Sequence, residues 1–245
     1  MHLKVTLLLL LLPVICHGQR YEMVKFGDFE NWTVRNITES AILGGNTRPI
    51  YMVAPTDTVN GNRTFNYSKT IWASSNAYAV VAGITKTSCS VTPASGPTGK
   101  CARLETGFAS CKVAGLVNIN VLVQGTLVWG KMKEPVSGIS DPYSSMDWGI
   151  PFTGRPSAIV LDYKALIPDT GMLTKGTTFK TETFPGHDPA EITLILQKRW
   201  EDEQGNIHAL RVGTAMTRIP ASSGKWIHGR IPVIYGDAST SPDYK

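Results

Sequence analysis

Past residue 18 the sequence has no long apolar run, and nowhere does an amphipathic helical period last beyond a turn or two. That excludes a helical membrane span within residues 19–245 and a helical bundle as the architecture. Cysteine is scarce, with four in 245 residues. No histidine stands at a spacing that completes a zinc site: His187, His208 and His228 are scattered without an i,i+4 pair, so no zinc is expected. An excess of one charge is also missing, since the formal net charge is only +5. The densest basic cluster, Lys198-Arg199, is followed at once by Glu201, Asp202 and Glu203. A nucleic-acid partner, which calls for a basic stripe interleaved with aromatic residues, is excluded on that ground. Gly44-Gly45-Asn46 lacks the strand-to-helix setting of a phosphate loop, which argues against nucleotide binding.

The one apolar run is at the start. Lys4 precedes residues 5–15, and Cys16-His17-Gly18 puts small residues at the minus-three and minus-one positions of a cut after Gly18. The pattern predicts a secretory signal peptide over residues 1–18 and an exported chain over residues 19–245, placed in the periplasm, at the outer membrane or outside the cell. The run is well short of the roughly 20 apolar residues that a span requires. A lipoprotein would use Cys16, but Ile15 is bulky where a small residue is wanted. In an exported protein close cysteines oxidise; Cys101 with Cys111 is the expected pair and Cys89 is left free, with three buried free thiols as the alternative.

What the sequence does have is glycine (23) and proline (15), spread over short intervals between segments rich in Val, Ile, Thr, Tyr and Trp. Such punctuation predicts an all-β chain. In residues 116–128, Val117, Ile119, Val121, Val123 and Leu127 are assigned to one face of a strand and Asn118, Asn120, Gln124 and Thr126 to the other. A face of amides can hydrogen-bond sugar hydroxyls or simply meet water. Residues 191–200 alternate in the same way, with Ile192, Leu194, Leu196, Lys198 and Trp200 on one parity. The acidic turn 201–206, eased by Gly205, then leads into residues 208–212 and makes a hairpin. Residues 158–165 and 226–235 supply two further strands. No repeat or linker divides residues 19–245, so a single β-sandwich of two packed, mainly antiparallel sheets is expected.

Six segments together carry a family resemblance: Phe26-Gly-Asp-Phe-Glu-Asn-Trp32, Ala41-Ile-Leu-Gly-Gly45, Cys101-Ala-Arg-Leu-Glu-Thr106, Gly149-Ile-Pro-Phe-Thr-Gly-Arg-Pro156, Leu196-Gln-Lys-Arg-Trp-Glu-Asp202 and Arg211-Val-Gly-Thr214. In this order the chain resembles the putative carbohydrate metabolism domain (PCMD) family of exported Bacteroidetes proteins. The resemblance implies a β jelly roll shaped like a carbohydrate-binding module, often carried behind an immunoglobulin-like domain, with a role in glycan handling. Tyr21 already enters the jelly-roll motif here, so no N-terminal companion domain is expected, and any contact site shared between two domains would be absent or altered. The resemblance supplies no catalytic residues.

Glycan recognition combines aromatic faces, which cover the apolar side of a sugar ring, with a few oriented polar groups. Of six tryptophans, Trp72 lies in a small, polar stretch, and Trp148 in a loop-like segment beside Asp147 and shortly before Arg155; core packing is the rival role for both. Trp200 ends an apolar face and could stack on a sugar or plug the sandwich. Trp32, Trp129 and Trp226 sit among apolar neighbours and are assigned to the core. The expected glycan-binding set is therefore Trp72, Trp148, Asp147, Arg155 and Trp200, with Arg155 offering a rigid fork of donors. Arg103 is expected in a structural ion pair. A glycoside hydrolase would need two facing carboxylates; Glu30, Glu39, Glu105, Asp147, Asp162 and Glu201 are available without a diagnostic spacing, and Glu30 is the first to test. No cofactor is expected beyond a structural calcium, which Asp28 and Asp237 could share if the first and last strands pair. Asn31, Asn36, Asn62 and Asn66 fit the N-glycosylation pattern but stay unmodified in a bacterium. The expectation is an exported glycan-binding protein; a carboxylate-dependent glycoside hydrolase or lyase and a cell-envelope protein-interaction module are the alternatives.

Overall fold

The computed structural model describes residues 20–113, 117–137, 142–176 and 181–243. The expected signal peptide, with Lys4 and Cys16, lies outside these residues. The described regular structure is nineteen β-strands and three short 3-10 turns, so the all-β expectation holds. Among the described residues no helix is long and apolar enough to cross a membrane.

The organising strand is Trp32–Thr38. Its β-branched and aromatic residues favour an extended backbone, and it runs antiparallel to Thr47–Val53 and parallel to Asp57–Asn60. Apolar side chains from this sheet feed adjoining core clusters. Ile37 and Ile50 pack with Tyr78; Trp32 and Val53 pack with Val91 under Phe26, Phe29 and Trp72; Met52 and Ala54 pack with Tyr67 and Ala73. Each fully buried Ile or Val contributes about 1.5–3 kcal/mol by leaving water.

Inside this core the buried polar side chains Asn76 and Arg35 tie separate segments together. Asn76, wholly buried, donates to the carbonyls of Tyr51 (2.8 Å) and Val91 (2.6 Å) and accepts from the N–H groups of Ser90 and Val91, both at 2.8 Å. Arg35 donates to both Glu134 carboxylate oxygens at 2.8 Å and to the Arg63 carbonyl at 2.7 Å, and Glu134 also accepts from the Phe65 N–H. On the outside, the Asn36 amide donates to Asn60 and the Asn62 amide to the Thr38 carbonyl, both at 2.8 Å, lacing the parallel pair together.

Most remaining strands form hairpins: Ala77–Val81 with Ile84–Ser88, Val91–Ser95 with Lys100–Leu104, Gly107–Val113 with Val117–Val123, Met172–Gly176 with Thr181–Pro185, and Ala190–Glu201 with Ile207–Ile219. Leu127–Met132 lies between Trp72–Ser74 and Met146–Trp148. Ala158–Tyr163 pairs with Ile227–Pro232, and Ile234–Tyr235 adds to Ile207–Ile219. Pairing distributes the described strands over eight sheets of two or three strands, almost all antiparallel, an arrangement compatible with a jelly roll.

Three local expectations are corrected. Residues 116–128 do not form one strand: Val117–Val123 ends, and the chain changes partner at Thr126, whose N–H donates to the Ser75 hydroxyl at 2.9 Å and whose carbonyl accepts from the Ser75 N–H. Residues 226–235 likewise divide between two sheets. Cys101 and Cys111 are not joined; they belong to different hairpins, and Cys89, Cys101 and Cys111 are all free thiols. Burial pushes the Cys89 and Cys101 thiols above their ordinary value.

Candidate functional site

The strand Met146–Trp148 is set by its partner: Met146 stands opposite Met132, Asp147 opposite Lys131 and Trp148 opposite Gly130. Gly130 has φ +150°, and a Cβ there would lie 2.3 Å from the Asp147 carbonyl oxygen. Only glycine lets the two backbones approach this closely. Backbone bonds from Lys133 to the Ser145 carbonyl (2.7 Å) and from Gly149 to the Trp129 carbonyl (2.8 Å) close the pair at both ends. Met146 packs with Val128 and Met132 against the Tyr67 cluster. Trp148 shares the parity of Met146 and is 45% exposed, whereas Asp147, one residue out of phase, faces the other way.

The chain then runs exposed through Phe152, which is 50% accessible, to Arg155. The Arg155 guanidinium carbon lies 4.2 Å from the centre of the Tyr235 ring. Tyr235 is itself fixed: its hydroxyl donates to the Pro156 carbonyl at 2.9 Å, its backbone pairs with Gly213, and a Cβ on Gly213 would stand only 3.1 Å from the ring. Trp148, Phe152 and Arg155 thus follow one another on one exposed connection, which spans at most about 25 Å if fully extended.

Of the other expected site residues, Trp72 lies in the same three-stranded sheet as Trp148, on the opposite side of Leu127–Met132. Trp72 is half-buried in an aromatic cluster, 5.4 Å from Phe29 and 5.9 Å from Trp129, and its indole N–H donates to the Lys25 carbonyl at 2.8 Å. Its covering groups come from residues distant in sequence, which the small residues around it could not reveal. Trp200, 46% exposed, lies near the tip of the long hairpin and stacks on its cross-strand neighbour His208 at 5.3 Å and 15°. His208 Nε2 is 2.7 Å from Asp202; that contact, with the Asn206 amide and backbone N–H, pulls Asp202 down to about 2. Trp32 is buried, as expected of a core residue. Tyr235, Phe152 and Gly213 were not legible as site residues. Tyr235 comes eighty residues after the arginine it carries, and only the packing joins them.

Four of the six acids weighed for hydrolysis, Glu30, Glu39, Glu105 and Asp162, are engaged with bases or N–H donors. Glu30 accepts from the Lys100 N–H at 2.7 Å, Glu105 pairs with Arg103 as the ion-pair expectation required, and Asp162 meets His228 at 2.8 Å. Burial alone would raise the Glu39 carboxyl, but the Thr87 N–H, the Lys86 ammonium and the Thr87 hydroxyl outweigh it and hold Glu39 below its ordinary value. A general acid requires the opposite shift. The first strand does not pair with the last, so the pairing that would bring Asp28 to Asp237 is not made. Among the described residues no three His, Cys, Asp or Glu side chains converge. A cleft of about 120 Å³ lies among Ser88, Cys89, Ser90, Glu105, Gly107, Phe108 and Val123, well below the roughly 300–1,000 Å³ that encloses a small-molecule ligand.

The family model described as putative carbohydrate metabolism domain matches residues 28–219. No curated protein and no solved structure matches the chain. The matched span includes Trp148, Phe152 and Arg155 but ends before Tyr235.

Proposed function

The chain belongs to the putative carbohydrate metabolism domain family, and on that footing we propose that it is an exported glycan-binding protein whose contact surface is the connection of residues 148–155. The observation that carries this reading is the exposure of two aromatic side chains, Trp148 and Phe152, on the same short segment as Arg155. Aromatic faces cover the apolar side of a sugar ring and the guanidinium supplies oriented donors. An open surface of this kind suits an extended oligosaccharide better than an enclosed small molecule. Export follows from the signal-peptide pattern of residues 1–18.

The test is a glycan array probed with the mature chain, residues 19–245, beside Trp148→Ala, Phe152→Ala and Trp200→Ala. Loss of one aromatic contact, worth about 0.5–1.5 kcal/mol, weakens affinity by up to about tenfold. Trp148→Ala and Phe152→Ala are expected to weaken binding, and Trp200→Ala to leave it unchanged. Unaltered binding by the first two variants rejects the surface.

A second reading, a cell-envelope protein-interaction module, is favoured by the long hairpin, where Trp200, Ile207 and Leu210 are all exposed. Under it Trp200→Ala would abolish partner capture and spare glycan binding.

A further inference from the structure

We propose that the glycan is anionic and that Arg155 determines this specificity by receiving its oxyanion group, a uronate carboxylate or a sulfate ester. The inference rests on the reading of residues 148–155 as the glycan surface and names the ligand class for it.

Three observations support it. First, Arg155 has no carboxylate within ion-pair distance among the described residues, whereas Arg35, Arg103 and Arg218 are matched by Glu134, Glu105 and Glu191. Second, the guanidinium is carried by a seat that is itself fixed. The Tyr235 ring holds it at 4.2 Å, the Tyr235 hydroxyl is tied back to Pro156, the residue next to Arg155, and Gly213 provides the space in which the ring lies. Stacking on an aromatic face leaves the planar fork of N–H donors free to meet two oxygens side by side, and it orders a long side chain before the ligand arrives. Third, the acid next to Trp148, Asp147, is one residue out of phase with it and stands opposite Lys131. Its charge is therefore directed away from the face that Trp148 presents. The formal net charge of +5 for the whole sequence, to which Lys4 contributes one, adds a weak general attraction for polyanions.

Tyr235 is a positioning residue in this scheme: it touches the arginine and not the ligand. Its removal loosens the guanidinium without removing the charge. Arg155→Lys keeps the charge but gives up both the stack and the paired donors.

An array carrying neutral, uronate-containing and sulfated oligosaccharides tests the proposal. It is followed by calorimetric titration of the best acidic ligand against its methyl-esterified or desulfated form. The acidic form is expected to bind at least about tenfold more tightly than the neutralised one, with the advantage shrinking as salt is raised. Arg155→Gln is expected to erase the difference between the two forms, Arg155→Lys to recover part of it, and Tyr235→Leu to reduce it while thermal unfolding reports its separate effect on stability. Uronate hits and sulfate hits each support the proposal and identify the source of the charge. If neutral and acidic forms bind equally and Arg155→Gln changes neither, the anionic specificity is overturned while the glycan reading survives. If no glycan of any class is bound, both fall.

Discussion

Arg35 and Glu134, 99 positions apart in the sequence, face each other with both side chains buried and share two hydrogen bonds of 2.8 Å. Residues 133–136 are thereby fastened to the central strand Trp32–Thr38, and the Val136 N–H, donating to the Tyr78 carbonyl at 2.9 Å, ties them to the strand Ala77–Val81 as well. Glu134→Ala strands a buried guanidinium and is expected to cost about 3–5 kcal/mol. Replacing both partners by apolar residues, as in Arg35→Met with Glu134→Leu, is expected to cost less than that single change. Urea denaturation of the two variants and the parent makes the comparison.

Asn76 saturates both ends of its amide with four backbone partners. Asn76→Leu fills the same space but leaves those partners unmet, each at about 1–3 kcal/mol. A loss of at least about 3 kcal/mol in denaturant unfolding is expected, against an ordinary value near 1 kcal/mol for single substitutions.

The acid limb of stability is assigned to Glu39. Its folded-state carboxyl lies below its ordinary value of 4.5, so the stability it contributes is fully present above pH 4.5 and is lost as the pH falls through the folded value. Glu39→Gln is expected to flatten the fall in unfolding free energy as the pH drops below 4.5. Asp202 behaves in the same sense further down: from an ordinary value of 3.8 it is pulled to about 2 by His208 and Asn206. NMR titration should find the hairpin tip ordered until the pH falls toward about 2, and Asp202→Asn should remove that transition.

Gly130→Ala brings a methyl group against the Asp147 carbonyl and demands a backbone conformation that L-residues avoid. The expected cost is at least about 2 kcal/mol. The neighbouring Trp148 should report it through a changed fluorine resonance when the tryptophans are fluorinated.

Free thiols at Cys89, Cys101 and Cys111 predict that a reductant leaves the melting temperature of a chain of residues 19–245 unchanged. Thiol labelling after unfolding should modify all three.

Strand-rich character was legible wherever alternation and turn residues agreed, as in the hairpin of Ala190–Glu201 with Ile207–Ile219. Where a strand changed neighbours the alternation was silent, because side-chain parity does not say which partner supplies the hydrogen bonds. Residues 116–128 looked continuous for that reason. Trp148 and Arg155 stood out because their surroundings are short, polar and proline-bounded, and both are exposed in the structure. Trp72 carried the same local signal yet is half-buried, since Phe29, Lys25 and Trp129 cover it from elsewhere. Tyr235 gave no signal, because its role exists only through the position of a side chain eighty residues earlier.

Residues 220–243 follow the matched span but supply Ile227–Pro232 as the partner of Ala158–Tyr163 and Tyr235 as the support for Arg155. A recombinant fragment trimmed after Ile219 would expose the raw ladder edge of Ala158–Tyr163 to neighbouring molecules. Clumping of such a fragment would reflect where it was cut and would say nothing against the ligand chemistry of the whole chain.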